Sequence, residues 1–246
     1  MSKAAIVRGF AAVIGLVAAV LCGNVRAQTP VDLQLAFAVD VSRSIDADEA
    51  KLQRDGYIAA LTHPRVVKAI ASGPLGRIAV AYFEWANASY QRILVPWTVI
   101  ANEKDARGVA AILAEEPIVS ANWTSLSGAI DSGVALLAAS GFTSPRRVID
   151  ISGDGRNNNG RPAADARDAA VRQGIVINGL PIINERLNFG GMPERDLDGY
   201  FRTNVIGGPG AFIKVAEGFE SFGEAILAKL VIEIAGIEPQ QQLAGD

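Results

Sequence analysis

Three oxygen-bearing side chains alternate directly after the first long apolar run that follows the N-terminal segment. The run Leu35–Val39 is followed by Asp40, Ser42 and Ser44. On an extended or turning backbone alternate residues lie on the same side, so one carboxylate and two hydroxyls can face a common point. Serine and aspartate after a strand also serve simply as turn and cap residues. The alternative is a magnesium site, because Mg²⁺ takes hard oxygen ligands and few carboxylates.

Two further segments carry oxygen ligands at comparable places. Thr124 precedes a helix-like segment, and Asp154 follows the strand-like run Arg147–Ser152. In an open α/β sheet, the loops at the carboxyl ends of the strands form the binding crevice at the switch point. All three segments can therefore meet there. A set of two carboxylates and three hydroxyls favours Mg²⁺, with Mn²⁺ or Ca²⁺ as substitutes, over zinc or copper.

The elements that must position these residues alternate along the chain. Apolar strand-like runs and helix-like segments follow one another, which predicts a parallel sheet covered by helices on both faces. Pro96 lies inside the third run and predicts an edge strand. Strands are predicted at Leu33–Val39, Arg77–Trp85, Ile93–Ile100, Arg147–Ser152, Ile175–Ile182 and Ala211–Val215. Helices are predicted from Asp46 to His63, Glu103 to Glu115, Thr124 to Leu137, Pro162 to Gln173 and Phe219 to Ala235.

The N-terminal segment has the layout of a secretory signal peptide. Two basic residues precede the apolar run Phe10–Cys22, and Val25-Arg26-Ala27 resembles a cleavage site with small residues. We therefore expect residues 1–27 to be removed, residues 28–237 to form one domain and residues 238–246 to be a flexible tail. Cys22 is the only cysteine, so the exported chain would contain no disulfide and no thiolate ligand. The protein is expected in the bacterial periplasm or outside the cell.

The charge balance excludes several classes of partner. The formal net charge is −3, and residues 1–27 carry three basic and no acidic side chains, so 20 basic residues remain against 26 acidic ones, a charge of −6. No basic stripe is visible, and we expect no nucleic-acid partner.

No segment after residue 27 approaches about 20 consecutive apolar residues, so we expect no membrane span in the mature chain.

The motif Asp40-x-Ser42-x-Ser44, with Thr124 and Asp154 at two later loops, resembles the metal-ion-dependent adhesion site (MIDAS) of von Willebrand factor type A (vWA) domains. The resemblance covers about Val31 to Ala235 and looks closest to an exported bacterial branch known mainly as a domain of unknown function. It implies a Rossmann-like, doubly wound, mostly parallel six-stranded sheet with helices on both faces and one antiparallel edge strand.

The resemblance also implies roles for individual residues. Ser42, Ser44 and Thr124 would contact the metal through their hydroxyls, and Asp40 and Asp154 would act directly or through water. An acidic residue of a partner protein would complete the coordination shell. The sequence departs from the family at Gly153, where a Thr or Ser is usual, and this departure concerns the hydrogen bonds around the ligands more than ligation.

Several residues have simpler interpretations. Asp46 is predicted to cap the first helix, together with Glu49, and is excluded from the site. Thr124 could equally be a helix cap. Arg156 and the run Asn157–Asn159 either shape a rim that touches a partner or form a solvated loop. Residues 183–210 are rich in Gly, Asn and Asp and are predicted as a long irregular surface insertion.

The leading functional hypothesis is a non-enzymatic, divalent-cation-dependent protein-binding module, and no residue is nominated as catalytic. The rival is a Mg²⁺-dependent hydrolase, for which only Asp150 or Glu84 could serve as the base. A third hypothesis is a structural domain with an unused site. His63, the only histidine, is far in sequence from every predicted ligand, which disfavours a Ser-His-Asp arrangement.

Overall fold

The computed structural model describes residues 28–184 and 194–236. Its main sheet has five strands, and a short parallel pair lies apart from it. The main strands are β2 Gln34–Asp40, β3 Ile78–Trp85, β4 Gln91–Ile100, β6 Arg147–Gly153 and β7 Val176–Pro181; the short pair is β1 Thr29–Pro30 and β5 Phe142–Thr143. The helices are α1 Ala47–Thr62, α2 Pro64–Ala71, α3 Glu103–Glu115, α4 Leu126–Ala138, α5 Ala163–Val171, α6 Leu197–Tyr200, a π-helix Phe201–Val205 and α7 Phe222–Ala235.

The strand order β4-β3-β2-β6-β7 places the first long strand in the centre of the sheet. β2 pairs in parallel with β3 on one side and with β6 on the other, so its carboxyl end is the switch point of a doubly wound sheet. β4 pairs antiparallel with β3 and forms an edge, as the proline at position 96 predicts. The predicted architecture is thus confirmed in its parallel core and its antiparallel edge.

The sixth predicted strand, Ala211–Val215, is not a strand within the described residues. The segment runs beside β7 but contacts it only through isolated bridges, including Gly179 to Ile213 and Ile182 to Ala216. Gly208 and Gly210 have positive φ angles, and Pro209 between them has no N–H to donate. These residues interrupt the regular ladder that an additional strand would require.

Helices cover both faces of the sheet and bury it. On one face, α1, α2, α3 and α7 pack together; on the other face, α4 and α5 pack against each other and the strands. All seven residues of β2 and all eight residues of β3 are buried, which explains their nearly continuous apolar sequence. One helix, α2, is not predicted from the sequence: Pro64 ends α1 and immediately begins a second helix, where proline is favoured at the first position.

The insertion is more regular than its composition predicts. Residues 185–193 lie outside the described residues, but Leu197, Phe201 and Val205 are fully buried at intervals of four residues. They lie in α6 and the π-helix, and they belong to the apolar cluster on the α4 and α5 face. The interpretation of the whole segment as irregular is therefore wrong for residues 197–205, because a helical apolar stripe is present among its polar residues.

None of the helices in the described ranges has both the length and the apolar character needed to cross a bilayer.

A buried ionic cluster joins α7 to the sheet. Nζ of Lys229 lies 2.6 Å from Oδ1 of Asp150 and 3.1 Å from Oε1 of Glu233, and all three side chains are almost entirely buried. Nδ2 of Asn178 donates to Oε1 of Glu233 at 2.5 Å. Burial, reinforced by the charge of Glu233, raises the pKa of Asp150 to about 8. When Asp150 keeps its proton, the ammonium group of Lys229 faces one carboxylate, that of Glu233, and not two.

This raised pKa predicts a specific dependence of stability on pH. The stabilising contribution of protonated Asp150 is complete below its ordinary pKa of 3.8 and falls as the pH rises to about 8. The slope for one such proton is at most about 1.4 kcal/mol per pH unit. Because an amide mimics the protonated acid, Asp150→Asn should make the pH dependence of the unfolding free energy shallower in this window.

Denaturant unfolding of both proteins at several pH values measures this difference. Asp55→Asn, at an exposed position of α1, serves as the control and should leave the slope unchanged. An identical slope in the wild type and Asp150→Asn would show that Asp150 titrates normally.

Candidate metal centre

The predicted ligands of the first loop gather at the carboxyl end of β2. Asp40 is the last residue of the strand and is fully buried, and its Oδ1 accepts a hydrogen bond from the backbone N–H of Ser42 at 2.7 Å. The hydroxyl oxygens of Ser42 and Ser44 lie 3.0 Å apart. The alternation predicted from the sequence therefore brings both serines to one side of the turn, next to the Asp40 carboxylate.

Asp154 reaches the same point from the next strand. β6 ends at Gly153, and Oδ1 of Asp154 accepts a hydrogen bond from the Ser44 hydroxyl at 2.6 Å. Gly153 lies against the first loop: a Cβ atom there would lie 2.9 Å from Oδ2 of Asp40. The departure from the family pattern at this position thus has a steric reason in this chain, because a side chain would press on the central carboxylate.

Thr124 is held beside the Asp154 loop by backbone contacts. Its N–H donates to Oδ1 of Asn158 at 2.8 Å, and its carbonyl accepts from the N–H of Asn158 at 2.8 Å. A Cβ atom on Gly155 would lie 3.6 Å from Oγ1 of Thr124, so the threonine hydroxyl faces this loop. The cap of α4 is Ser125, whose Oγ accepts from the N–H of Gly128. Thr124 is therefore not the cap, and its hydroxyl is not used for that purpose.

The three asparagines after Asp154 are structural connectors. Oδ1 of Asn157 accepts from the N–H of Ser127, and Oδ1 of Asn159 accepts from the N–H of Ala88, while Asn158 binds Thr124. Asn157 and Asn158 thus join the Asp154 loop to the segment that begins α4, and Asn159 joins it to the turn before β4. The run Asn157–Asn159 is a partly exposed loop, as one of the two interpretations from the sequence has it, and its amides also hold that loop against its neighbours.

Arg156 links the Asp154 loop to the insertion. Its Nε lies 3.1 Å from Oε2 of Glu194, its Nη2 donates to the carbonyl of Arg195 at 2.6 Å, and its guanidinium lies 5.0 Å from the ring centre of Tyr200. These contacts are with the same chain, so Arg156 positions the insertion next to the site.

A buried chain of hydrogen bonds fixes the backbone carbonyl of Asp40. Nε2 of Gln53, on α1, donates to the carbonyl of Asp40 at 3.0 Å. Oε1 of Gln53 accepts from the hydroxyl of Ser152, which in turn accepts from the hydroxyl of Tyr57. Gln53 was not identified from the sequence, because a polar residue within a helix carries no signal of the strand end that it contacts.

Burial makes both carboxyl groups costly to ionise. The pKa of Asp40 is raised well above its usual range, first by burial and then by the neighbouring charge of Asp154. Burial also raises the pKa of Asp154 to about 6, against the lowering effect of the Ser44 hydrogen bond. Within the described residues neither carboxyl forms an ion pair with a cationic side chain. A bound cation would supply the missing positive charge.

The side chains fit a hard divalent ion. Oδ2 of Asp40 is buried and has no hydrogen-bond partner among the described residues, although buried carboxylate oxygens are normally satisfied. Hydroxyls of Ser42, Ser44 and the nearby Thr124, together with Asp154, complete an all-oxygen donor set of the kind that Mg²⁺, Mn²⁺ or Ca²⁺ binds. The described residues contain no group of three or more His, Cys, Asp or Glu side chains arranged for a metal.

Two residues kept out of the site by sequence reasoning, and one nominated as a possible hydrolytic base, have other contacts. Asp46 caps α1 in a reciprocal capping box with Glu49, as predicted. His63 caps α2 by accepting from the N–H of Arg65. Glu84 is buried in an ion pair with Arg54.

Because Gly153 lies so close to Asp40, replacement by alanine should have opposite effects on stability at this glycine and at a glycine with open space around it. Gly153→Ala should destabilise the protein by about 1–3 kcal/mol, because the new Cβ overlaps a buried carboxylate that the N–H of Ser42 holds in place. Gly108→Ala is the matched control: it lies within α3, where a Cβ meets nothing within 4 Å, and should stabilise by about 0.5–1 kcal/mol. Urea denaturation of both variants measures the difference, and equal effects would contradict this geometry.

Three solved structures illustrate the similarity of the fold. The pilus adhesin SpaC from Lactobacillus rhamnosus GG is 14% identical, with a TM-score of 0.59 over 87% of this chain and 31% of that chain. Proximal thread matrix protein 1 from the mussel byssus, with a zinc-occupied MIDAS motif, is 14% identical, with a TM-score of 0.58 over 85% and 49%. A von Willebrand factor type A structure from Catenulispora acidiphila is 10% identical, with a TM-score of 0.57 over 83% and 42%.

These similarities establish the fold, and the sequence establishes the family. This chain covers less than half of the length of each of the three neighbours, and a search of curated proteins finds no match. A family model described as "Protein of unknown function (DUF1194)" matches residues 30–238. The protein therefore has a von Willebrand factor type A fold and belongs to the DUF1194 family.

Proposed function

We propose that the protein is an exported, non-enzymatic module that binds another protein through a divalent cation. The observation that carries this proposal is the buried Oδ2 of Asp40, which has no hydrogen-bond partner in the described part of the chain and lies at the switch point of the sheet. Ser42 contacts the other oxygen of this carboxylate, and Ser44 links Ser42 to Asp154. Open α/β sheets bind their ligands at the switch point, outside the carboxyl ends of the strands.

Asp40, Ser42, Ser44, Thr124 and Asp154 would hold the cation, with Mg²⁺ as the first candidate. A divalent ion surrounded by only two carboxylates keeps positive character, which attracts an acidic side chain of a partner. Local contacts position the residues that carry the hydroxyls. The capping box of Asp46 and Glu49 begins α1 just after Ser44, and Oδ1 of Asn158 accepts a hydrogen bond from the N–H of Thr124. Nε2 of Gln53 donates to the carbonyl of Asp40 and so fixes the backbone at that residue.

The comparisons support this function by analogy of fold. One neighbour is a pilus adhesin, and another carries zinc in its MIDAS motif. Export is proposed from the signal-peptide pattern of residues 1–27, which lie outside the described residues. N-terminal sequencing of the protein from the exported fraction should give a chain that begins near Gln28.

The buried state of the two nominated bases favours binding over hydrolysis. Glu84 pairs with Arg54, and Asp150 contacts Lys229 in the core, so each carboxyl is already engaged and shielded from solvent. We therefore expect no Mg²⁺-dependent turnover on a panel of phosphoesters. Turnover that disappears in Asp154→Ala would establish the rival hydrolase.

Metal binding predicts a stability increment that depends on the central carboxylate. A hundredfold excess of Mg²⁺ or Mn²⁺ over its Kd should add about 2.7 kcal/mol to the unfolding free energy and raise the Tm. Asp40→Asn should abolish this increment, because it removes the charge of the buried ligand. Asp55→Asn, which changes the same residue type on the exposed face of α1, should keep the increment.

Differential scanning calorimetry with and without EDTA measures these changes in Tm. An increment that is absent from the wild type, or equal in Asp40→Asn and the wild type, would support the structural domain with an unused site.

Partner binding should depend on the same ion. Immobilised mature protein should retain a partner from the exported fraction in Mg²⁺ and release it in EDTA, and Asp154→Ala should retain none. Capture that persists in EDTA, or in Asp154→Ala, would contradict a metal-mediated contact.

A further inference from the structure

An exposed tryptophan lies directly beside the candidate metal centre. Trp123 precedes Thr124 and is 61% exposed, the highest value among the large apolar side chains of the described residues. Its indole makes no hydrogen bond and no ring contact within those residues. The side chain therefore contributes little to the packing of the domain.

The backbone of Trp123 is also unfavourable for its residue type. Its φ angle is +70°, in the left-handed region that glycine adopts readily and that bulky residues rarely enter. The backbone conformation lowers the stability of the protein, and packing of the exposed indole offsets little of that cost. Such conformations persist where the surrounding structure imposes them, and they cluster at functional sites.

The neighbouring residues impose this conformation from both sides. Before Trp123, the N–H of Ala121 donates to the carbonyl of Val41, and the carbonyl of Asn122 accepts from Nδ2 of Asn87. After it, the N–H of Thr124 donates to Asn158. The loop that carries Trp123 is thus hydrogen-bonded to the loops that carry the candidate ligands, and these bonds fix the backbone at this residue.

A positive charge lies at the same rim. Arg43, between Ser42 and Ser44, is exposed, and its Nη1 donates to Oδ1 of Asn122 at 3.1 Å. The guanidinium is therefore held next to the segment that presents Trp123. The rim combines a cationic group and a large rigid aromatic surface, the two features most enriched in residues that dominate protein interfaces.

We propose that Trp123 and Arg43 form a recognition platform for a protein segment in which an Asp or Glu lies next to an apolar side chain. The acidic residue would approach the metal and Arg43, and the apolar side chain would pack on the indole. This inference rests on the proposed function for the acidic contact. Because Trp123 and Thr124 are adjacent, with Cα atoms about 3.8 Å apart, the apolar residue should lie within about two positions of the acid.

Selection from a phage-displayed library of random linear peptides tests the platform. In Mg²⁺, the wild-type protein should enrich peptides that contain an acid with an aromatic or aliphatic residue one or two positions away. Trp123→Gly should bind the enriched peptides roughly tenfold more weakly or worse. It should keep the metal-dependent rise in Tm, because glycine accepts the φ angle of +70°. Leu75→Ala, which removes an exposed apolar side chain just before the amino end of β3, should leave peptide affinity unchanged.

Quenching by acrylamide gives a second measurement with the same peptide. Trp85 is fully buried, and Trp97 is partly buried with its Nε1 bonded to the carbonyl of Leu136. Bound peptide should therefore reduce the quenching of Trp123 and leave that of the other two tryptophans unaffected. Trp123→Phe should lose this protection.

The outcomes separate the two proposals. Metal-dependent acidic peptides whose affinity is unchanged in Trp123→Gly would overturn the platform and leave the metal-mediated function standing. A selection without any metal-dependent acidic peptide would overturn the proposed function and the platform with it. Clustering of the wild-type protein that Trp123→Gly abolishes, without peptide binding, would assign the indole to self-association instead.

Discussion

Burial of the Asp40 carboxylate is the constraint on which the arrangement of the site depends. The group lies at the end of a central strand that is covered on both faces, where an ionised carboxylate loses its hydration. Oδ1 accepts a hydrogen bond from the N–H of Ser42, and the backbone carbonyl accepts one from Gln53, but no described residue donates to Oδ2. The second carboxyl, that of Asp154, lies nearby and increases the electrostatic cost. A cation is the simplest physical means of offsetting this cost.

The topology explains why the loops that surround this carboxylate can meet. With β2 central and β3 and β6 on either side, the loop after β2 and the loop after β6 leave the sheet at the same edge. The segment before α4 joins them through Asn158 and through the contact of Ala121 with Val41. Gly153 permits the closest approach, and Arg156 extends the same framework to the insertion. The site is thus supported by main-chain contacts from several elements, and its rim carries Trp123 in a fixed conformation.

Much of the fold could be predicted, and candidate ligands could be named, because both depend on local patterns. The apolar runs predicted the five main strands to within a few residues, Pro96 predicted the edge strand, and Asp46 with Glu49 predicted the start of α1. The predictions failed where a local pattern competes with tertiary contacts. Ala211–Val215 has strand composition but is kept from a regular ladder by the preceding Gly and Pro residues. The stripe Leu197, Phe201 and Val205 was hidden among polar residues of the insertion.

The sequence by itself determined which residues are candidate oxygen ligands and that Asp40, Ser42 and Ser44 share one side of a turn, since alternation is a property of the local backbone. Only the tertiary structure decided that Ser44 donates to Asp154, 110 residues later, that Ser125 rather than Thr124 caps α4, and that Asn157–Asn159 join the Asp154 loop to two neighbouring segments. It also decided that Asp150 belongs to a buried ionic cluster with Lys229 and not to the site. These contacts depend on strand order and register, which arise from packing summed over the whole sheet and leave no signal at any single position.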